Sequence, residues 1–243
     1  NVLYEISNES SPGSHDWQYH LINYIKTYEK SQPKQHPVGM TVEFPEGDNS
    51  KLFDSPADWI SPSGDINHPP IADGSKVILA DTDHICGICG DRSWVWKSFT
   101  RGENPIFMDV YDGAMPLIEP PIPPNPLNYE PWVSIRRNSG YALTYANRMN
   151  LAAMKPHPDL ASTGYCLANP VANEAEYLVY LPEGGEVVVD LSDIKEEVTA
   201  EWLNLATGKI ITNIKTTGGD RRTFPVPFDG DAVLYIKGNT EYY

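Results

Sequence analysis

The sequence predicts two regions of different fold class: an α/β region with a parallel sheet covered by helices, and an all-β region that forms an antiparallel β-sandwich. Strand-length apolar runs alternate with helical patterns up to about residue 150. Beyond about residue 162, short strands follow one another at regular spacing with no helical pattern between them. Pro156 and Pro158 mark the change of texture, so the predicted domains are residues 1–157 and 158–243.

The α/β region begins with a short apolar strand over residues 2–6, followed by a Ser-, Pro- and Gly-rich loop. A helix over about residues 16–30 comes next, and its apolar residues at spacings of three and four form one stripe: Trp17, Leu21, Tyr24, Ile25 and Tyr28. Further strands are predicted at 36–44, 57–60, 76–80 and 105–108, and further helices at about 91–100 and 132–150. This alternation is typical of a parallel sheet with helices on its faces.

The all-β region contains six predicted strands separated by Gly-containing turns. The first two are joined by Glu183-Gly184-Gly185, which predicts a hairpin. The six strands are predicted at 177–182, 186–191, 198–205, 209–214, 223–228 and 232–237.

Composition excludes several classes of partner. The formal net charge is −15 and no basic cluster offsets it, so we expect no nucleic-acid partner. No run approaches 18 apolar residues, so we expect no membrane span. Three cysteines in 243 residues are too few for a disulfide scaffold. We also expect no cofactor.

Polar residues follow two of the predicted buried strands. Asn8 and Glu9 come after the first, and Asp81, Asp83 and His84 come after the strand that begins at residue 76. The C-terminal ends of parallel strands share one edge, where catalytic side chains collect. Glycoside hydrolysis needs two such carboxylates, one to protonate the leaving oxygen and one to attack the anomeric carbon or activate water. The alternatives are a solvated or helix-capping glutamate, and aspartates that cap a loop or bind metal.

Neighbouring residues add candidates for substrate binding. His84 is placed to hydrogen-bond a sugar or adjust a carboxylate, or else to serve a structural role. Trp94 and Trp96 point in different directions on a helix, so one is expected in the core and the other as a stacking surface for a sugar ring. Asp109 and Tyr111 end the next strand and are expected to face the same mouth.

The Cys86-Gly87-Ile88-Cys89 motif taken alone suggests a redox pair or half of a zinc site. No second Cys-x-x-Cys or Cys-x-x-His completes a set of four zinc ligands. We therefore expect no metal.

Several runs of sequence resemble a known family. Residues 1–9 resemble the fourth barrel strand of retaining (β/α)8 glycoside hydrolases, in which Asn-Glu carries the acid/base. The runs 77–85, 94–99 and 105–109 look like the apiosidase-like glycoside hydrolase family, long known as a domain of unknown function. Many members of that family end in a β-sandwich domain that is named for collagen binding. The runs 161–167, 177–182 and 230–235 are similar to that domain.

The resemblance implies the C-terminal part of a (β/α)8 TIM barrel, strands four to eight, followed by the sandwich, in a fragment that starts at strand four. It gives Glu9 the acid/base role and places the nucleophile at the end of strand seven. Relatives usually carry Glu there, whereas this sequence offers Asp81 and Asp83. We prefer Asp81 because it lies nearer the strand end. The implied substrate is an oligo- or polysaccharide cleaved with retention at the O-glycosidic bonds of its side chains, outside the cell or in the periplasm.

Two other hypotheses compete with the glycosidase. A non-catalytic carbohydrate- or matrix-binding protein would use the sandwich for binding and the barrel as a scaffold, with the carboxylates far apart. An inactive fragment of an enzyme would lack the contacts that barrel strands one to three supply.

Overall fold

The computed structural model describes residues 2–68, 72–110 and 125–238. The chain divides into two compact units. The first contains Asn1–Cys89 and Glu103–Met108, and the second contains Gly90–Gly102 and Asp109–Tyr243. The boundary between residues 157 and 158 stays a prediction. No described helix has the length and apolar character needed to cross a membrane.

The first unit is built on a parallel sheet, which confirms this part of the predicted fold class. Its strands lie side by side in chain order: β1 (Tyr4–Glu5), β2 (Val38–Thr41), β3 (Trp59–Ser61), β4 (Val77–Asp81) and β5 (Asn104–Ile106). Among the residues described in this unit, the α-helices are α1 (His15–Glu29) and the unpredicted short α2 (Asn49–Phe53). Gly39 has a packing role in β2, because a Cβ atom there would lie 1.9 Å from the Trp59 ring.

The apolar stripe of α1 is not the buried face of the helix. Trp17, Tyr24 and Tyr28 are exposed, while the buried residues are Gln18, Ile22 and Glu29. Two polar residues on the buried side obscured the pattern, and each makes at least one hydrogen bond. Gln18 Nε2 donates to Ser14 Oγ at 3.0 Å, and Glu29 is held by His36, whose backbone N–H donates to Glu29 Oε2 at 2.6 Å.

The Glu29–His36 contact predicts an acid-sensitive contribution to stability. His36 Nδ1 lies 2.7 Å from Glu29 Oε1. Its side-chain hydrogen bond is the main cause that lowers the pKa of Glu29 below the ordinary value of 4.5. A carboxyl whose pKa is depressed by folding stabilises the fold above its unfolded pKa, and loses that effect as the pH falls through its folded pKa.

We therefore expect Glu29→Gln to be less stable than the wild type at neutral pH, with the difference disappearing as the pH falls below about 4.5. The measurement is urea unfolding of both proteins across that range. Asp48→Asn is a second test of the same relation, because the contacts with Ser50 in the first turn of α2 also lower the pKa of Asp48, so its effect on stability should also fade at acid pH. A stability difference between Glu29→Gln and wild type that is constant with pH would contradict the prediction.

The described residues of the second unit combine two α-helices with antiparallel strands. The helices are α3 (Arg92–Thr100) and α4 (Glu130–Arg148). Six strands form one sheet in the order β11-β10-β13-β8-β7-β6, and β9 and β12 form a second sheet. The strands are β6 (Lys155–Pro156), β7 (Cys166–Asn169), β8 (Glu176–Leu181), β9 (Glu186–Asp190), β10 (Glu197–Asn204), β11 (Ile210–Thr217), β12 (Arg221–Pro225) and β13 (Ala232–Gly238).

The hairpin predicted between the strands at 177–182 and 186–191 is wrong, because their counterparts β8 and β9 lie in different sheets. β8 pairs with β7 and β13, whereas β9 pairs with β12 in the other sheet. The Gly184-Gly185 connection, with both residues at positive φ, therefore carries the chain from one sheet to the other. One apolar cluster draws buried residues from both sheets, including Val179, Val189 and Trp202.

Polar and aromatic contacts join α4 to the six-stranded sheet. Tyr145 and Arg148 both bond to Glu201 Oε1 on β10, at 2.9 and 2.6 Å. The Arg148 guanidinium also lies 5.2 Å from the centre of the Tyr235 ring on β13. The C-terminal half of the helix is thus bound to two neighbouring inner strands of this sheet, β10 and β13.

Candidate functional site

Glu9 lies beyond the C-terminal end of β1 in a strained backbone position. Its φ is +46°, a left-handed conformation that non-glycine residues seldom adopt. Thr41, at the end of β2, holds it there: the Glu9 backbone N–H donates to Thr41 Oγ1 at 3.1 Å, and that hydroxyl donates to the Ser7 carbonyl at 3.2 Å. Strain at a position fixed by a neighbouring strand is typical of functional sites.

Asp83 lies on a single helical turn, Thr82–His84, directly after β4. Asp81 caps this turn, because its Oδ1 accepts from the Asp83 backbone N–H at 3.0 Å. Thr82 is fully buried, and its Oγ1 accepts from the backbone N–H of Met108 at 2.8 Å. The turn is therefore anchored from within the first unit while Asp83 remains exposed.

The structure brings Glu9, Asp83 and His84 together, with one ligand atom from each lying within 4.8 Å of the others. Both ring nitrogens of His84 have contacts. Its Nδ1 lies 2.7 Å from Ser61 Oγ, at the end of β3, and its Nε2 lies 3.0 Å from Asn8 Oδ1. The three side chains therefore meet at the C-terminal edge of the parallel sheet.

The contacts of His84 show that its Nδ1 donates a hydrogen bond. Ser61 Oγ donates its proton to the Leu79 carbonyl at 2.8 Å, so it accepts from His84 Nδ1. The direction of the contact between His84 Nε2 and Asn8 follows from the orientation of the Asn8 amide.

A cavity of about 410 Å³ opens at this cluster, and Glu9, Asp83 and His84 line it. Its other wall contains residues that the sequence analysis missed, chiefly Glu43 and Phe44, which follow β2. Glu43 is buried and accepts from the Gly13 N–H at 3.1 Å and from Ser14 Oγ at 3.0 Å. Phe44 is 59 % exposed and offers a ring face at the cavity. The sequence signal that could have identified Glu43 is its position as a charged residue just after the buried strand β2.

The remaining predicted site residues lie elsewhere or in other roles. Trp94 and Trp96 are buried inside the second unit, so neither ring face is open to a sugar. Neither tryptophan therefore offers the exposed ring that the predicted stacking on substrate requires. Asp109 accepts two hydrogen bonds from Arg136, at 2.6 and 2.7 Å. Tyr111 lies outside the described residues.

Glu9, Asp83 and His84 also offer the donor types that bind a divalent metal. However, both nitrogens of His84 already have partners in Ser61 and Asn8. Metal binding through His84 would break one of these contacts. The arrangement is therefore better suited to proton transfer and nucleophilic attack by the two carboxylates.

Cys86 and Cys89 form a disulfide in the loop that follows His84, and Cys86 lines the cavity. The backbone N–H groups of Cys86 and Gly87 donate to the Thr82 carbonyl at 2.8 and 2.7 Å. The disulfide therefore closes a loop that is bonded directly to the turn carrying Asp83.

We expect reduction of this disulfide to loosen the loop. Restricting a four-residue loop contributes about 2 kcal/mol in the chain-entropy relation, which corresponds to more than a tenfold change in local opening. Hydrogen exchange at the Cys86 and Gly87 amides should accelerate accordingly when a dithiol reductant is added. Cys166→Ala is the control, because burial raises the pKa of the Cys166 thiol to about 12 and keeps it unreactive. Unchanged exchange after verified reduction would contradict the prediction.

No protein-family model and no curated protein matches the chain. Solved structures do resemble it. One, described as a glycoside hydrolase, has a TM-score of 0.61 at 14% identity, over 100% of this chain and 66% of the other. A second, a glycoside hydrolase family 5 protein from Bacteroides vulgatus ATCC 8482, has a TM-score of 0.63 at 13% identity, over 98% and 62%.

The chain has a glycoside-hydrolase-like fold. It spans less than two thirds of the length of either neighbour. Identity this low establishes the fold alone, because one fold supports many functions. The case for an activity therefore depends on the residues at the edge of the parallel sheet.

Proposed function

We propose that the chain belongs to a retaining glycoside hydrolase that uses Glu9 and Asp83 as its two carboxylates. The observation that carries this proposal is the approach of their carboxyl oxygens to within 4.8 Å. Retaining enzymes hold their two carboxyl groups about 5–5.5 Å apart, whereas inverting enzymes leave about 6.5–9.5 Å for a water molecule. The short separation favours direct attack on the sugar by one carboxylate.

Glu9 is the proposed acid/base and Asp83 the proposed nucleophile. Glu9 protonates the glycosidic oxygen as the bond to the anomeric carbon breaks, while a carboxylate oxygen of Asp83 bonds to that carbon. Glu9 then takes a proton from the water that hydrolyses the glycosyl–enzyme ester. Asp83 replaces Asp81 as the preferred nucleophile because Asp81 caps the turn with its own side chain.

The cavity at this site supports a carbohydrate substrate. Phe44 offers an aromatic face, and carboxylate and imidazole groups offer hydrogen-bond partners for sugar hydroxyls. Side chains of complex polysaccharides, including apiose-containing ones, remain the proposed substrates on the strength of the family resemblance.

The predicted barrel and sandwich belong to the same proposal. The five parallel strands in chain order support strands four to eight of a (β/α)8 barrel, and the shared apolar cluster of the two antiparallel sheets supports a sandwich. The Cys86–Cys89 disulfide supports a location outside the cell or in the periplasm, because disulfides persist in oxidising compartments.

The test is an assay of the natural polypeptide that contains these 243 residues against plant and host polysaccharides. Released sugar is measured, and proton NMR follows the anomeric configuration of the first product. We expect sugar release with retention. Inversion would contradict the role of Asp83 as nucleophile. If the protein binds glycan on a column but releases no sugar, the binding-protein hypothesis is favoured.

A further inference from the structure

We propose that Thr41 is a positioning residue for the carboxylate of Glu9. Its hydroxyl holds the backbone of Glu9 in the conformation that brings this carboxylate close to Asp83. The inference rests on the proposed acid/base role of Glu9. It adds that this role depends on a buried side chain of the neighbouring strand.

The Thr41 hydroxyl makes two hydrogen bonds to the loop that follows β1. Its Oγ1 accepts from the Glu9 backbone N–H at 3.1 Å and donates to the Ser7 carbonyl at 3.2 Å. A hydroxyl carries one proton and two acceptor lone pairs, so a single group can make both bonds. The two bonds together fix the chain on both sides of Asn8.

The position of Thr41 restricts it to this indirect role. It is the last residue of β2 and is only 2% exposed. Met40 belongs to the apolar cluster of the first unit, and successive side chains of a strand point to opposite faces, so Thr41 points away from that cluster and toward the loop. Thr41 is also absent from the lining of the cavity that Glu9 and Asp83 share. The hydroxyl therefore acts on the reaction through Glu9.

The backbone of Glu9 needs such support. Its φ of +46° is disfavoured for a residue with a Cβ atom, and the bonds from Thr41 offset that cost. Without them, Glu9 can relax toward a commoner conformation, which moves its carboxylate relative to Asp83. The backbone N–H of Phe44 donates to the Ser10 carbonyl at 3.0 Å and persists whatever side chain residue 41 carries. The loop therefore stays attached, and the displacement remains local.

The test is Thr41→Val, which keeps the shape of the side chain and removes both hydrogen bonds. The substrates are the phenyl and 2,4-dinitrophenyl glycosides of the sugar that the wild type releases. Phenolate needs a proton from Glu9 as it leaves, whereas dinitrophenolate leaves without one. We expect kcat/KM to fall by about 10- to 100-fold on the phenyl glycoside and by less than about threefold on the dinitrophenyl glycoside. Thr41→Ser keeps the hydroxyl and should match the wild type on both.

Ser55→Ala is the matched control. Ser55 is also buried in the first unit, and its Oγ likewise donates to a carbonyl, that of Leu52 at 2.6 Å, and accepts from a backbone N–H, that of Ala57 at 3.2 Å. It does not line the cavity that contains Glu9. This variant loses the same pair of bonds, and we expect it to show no dependence on the leaving group.

A double variant separates positioning from general destabilisation. In a Glu9→Gln background the proton donor is already absent, so Thr41→Val should cause no further loss on the phenyl glycoside. Equal losses on both glycosides, or losses that multiply in the double variant, would overturn the proposal. If Glu9→Gln loses activity while Thr41→Val does not, the positioning role alone fails. If Glu9→Gln is as active as the wild type, the acid/base role fails and this inference with it.

Discussion

Replacing Asp83 by Asn is expected to lower kcat/KM for glycoside hydrolysis by about 10³-fold or more, and Glu9→Gln is expected to do the same on substrates with poor leaving groups. Each substitution keeps the size of the side chain and removes one of the two carboxylates that approach within 4.8 Å. The first removes the attacking oxygen and the second the proton donor. The measurement is steady-state kinetics on whichever glycan the wild type hydrolyses.

Asp81→Asn is the matched control. Asp81 carries the same functional group two residues away, but its Oδ1 accepts from the Asp83 N–H, and an asparagine oxygen can do the same. We expect a loss of less than about tenfold for this variant. A loss at Asp81→Asn equal to that at Asp83→Asn would return the nucleophile role to Asp81, and full activity of Asp83→Asn would remove Asp83 from the mechanism.

The parts of this site that follow strand ends could be predicted from sequence. The sequence named Glu9 and Asp83 as candidates because a polar residue directly after a buried parallel strand lies at the edge where functional groups collect, and the structure brings these two side chains together. The choice between Asp81 and Asp83 was beyond the pattern. It depends on which carboxylate caps the turn Thr82–His84, and that is decided by backbone geometry within three residues.

Burial was harder to predict than secondary structure. The stripe on α1 that includes Trp17 and Tyr24 is exposed, because the buried side carries the polar residues Gln18 and Glu29, which hydrogen-bond to Ser14 and to His36. Phe44 was assigned only as the end of a strand, yet it offers the open aromatic face at the cavity. Such assignments require knowing which elements pack together, and a single sequence carries little of that information.

The two tryptophans of α3 show the same limit. They were expected to include a stacking surface for sugar, and both are instead buried. Trp96 donates from its Nε1 to Asn138 Oδ1 on α4 at 2.9 Å. Asn138 is itself fully buried and donates from its Nδ2 to the Ser134 carbonyl at 2.9 Å and to the Leu205 carbonyl at 3.3 Å. One amide therefore connects both helices to the loop after β10.

Asn138→Leu is accordingly expected to destabilise the second unit by about 2–4 kcal/mol. Leucine has nearly the same shape, but it leaves the Trp96 Nε1–H and the Leu205 carbonyl without partners in an interior that water does not reach, at a cost of about 1–3 kcal/mol for each group. The measurement is denaturant unfolding, with hydrogen exchange in α4 reporting on this unit. Ser139→Ala, one residue further along the same helix, removes only a bond to the Ile135 carbonyl and should change stability by less than about 0.5 kcal/mol.

A double-mutant cycle with Trp96→Phe separates the hydrogen bond from the general effect of altering the core. If the lost donor–acceptor pair is the cause, Asn138→Leu should cost at least about 1 kcal/mol less in the Trp96→Phe background, because the indole N–H is then already absent. A coupling energy near zero would show that the asparagine acts through its bond to Leu205 alone. In that case α3 and α4 would be held together by the packing of Trp96 against Tyr145, whose ring centres lie 6.3 Å apart, rather than by the buried amide.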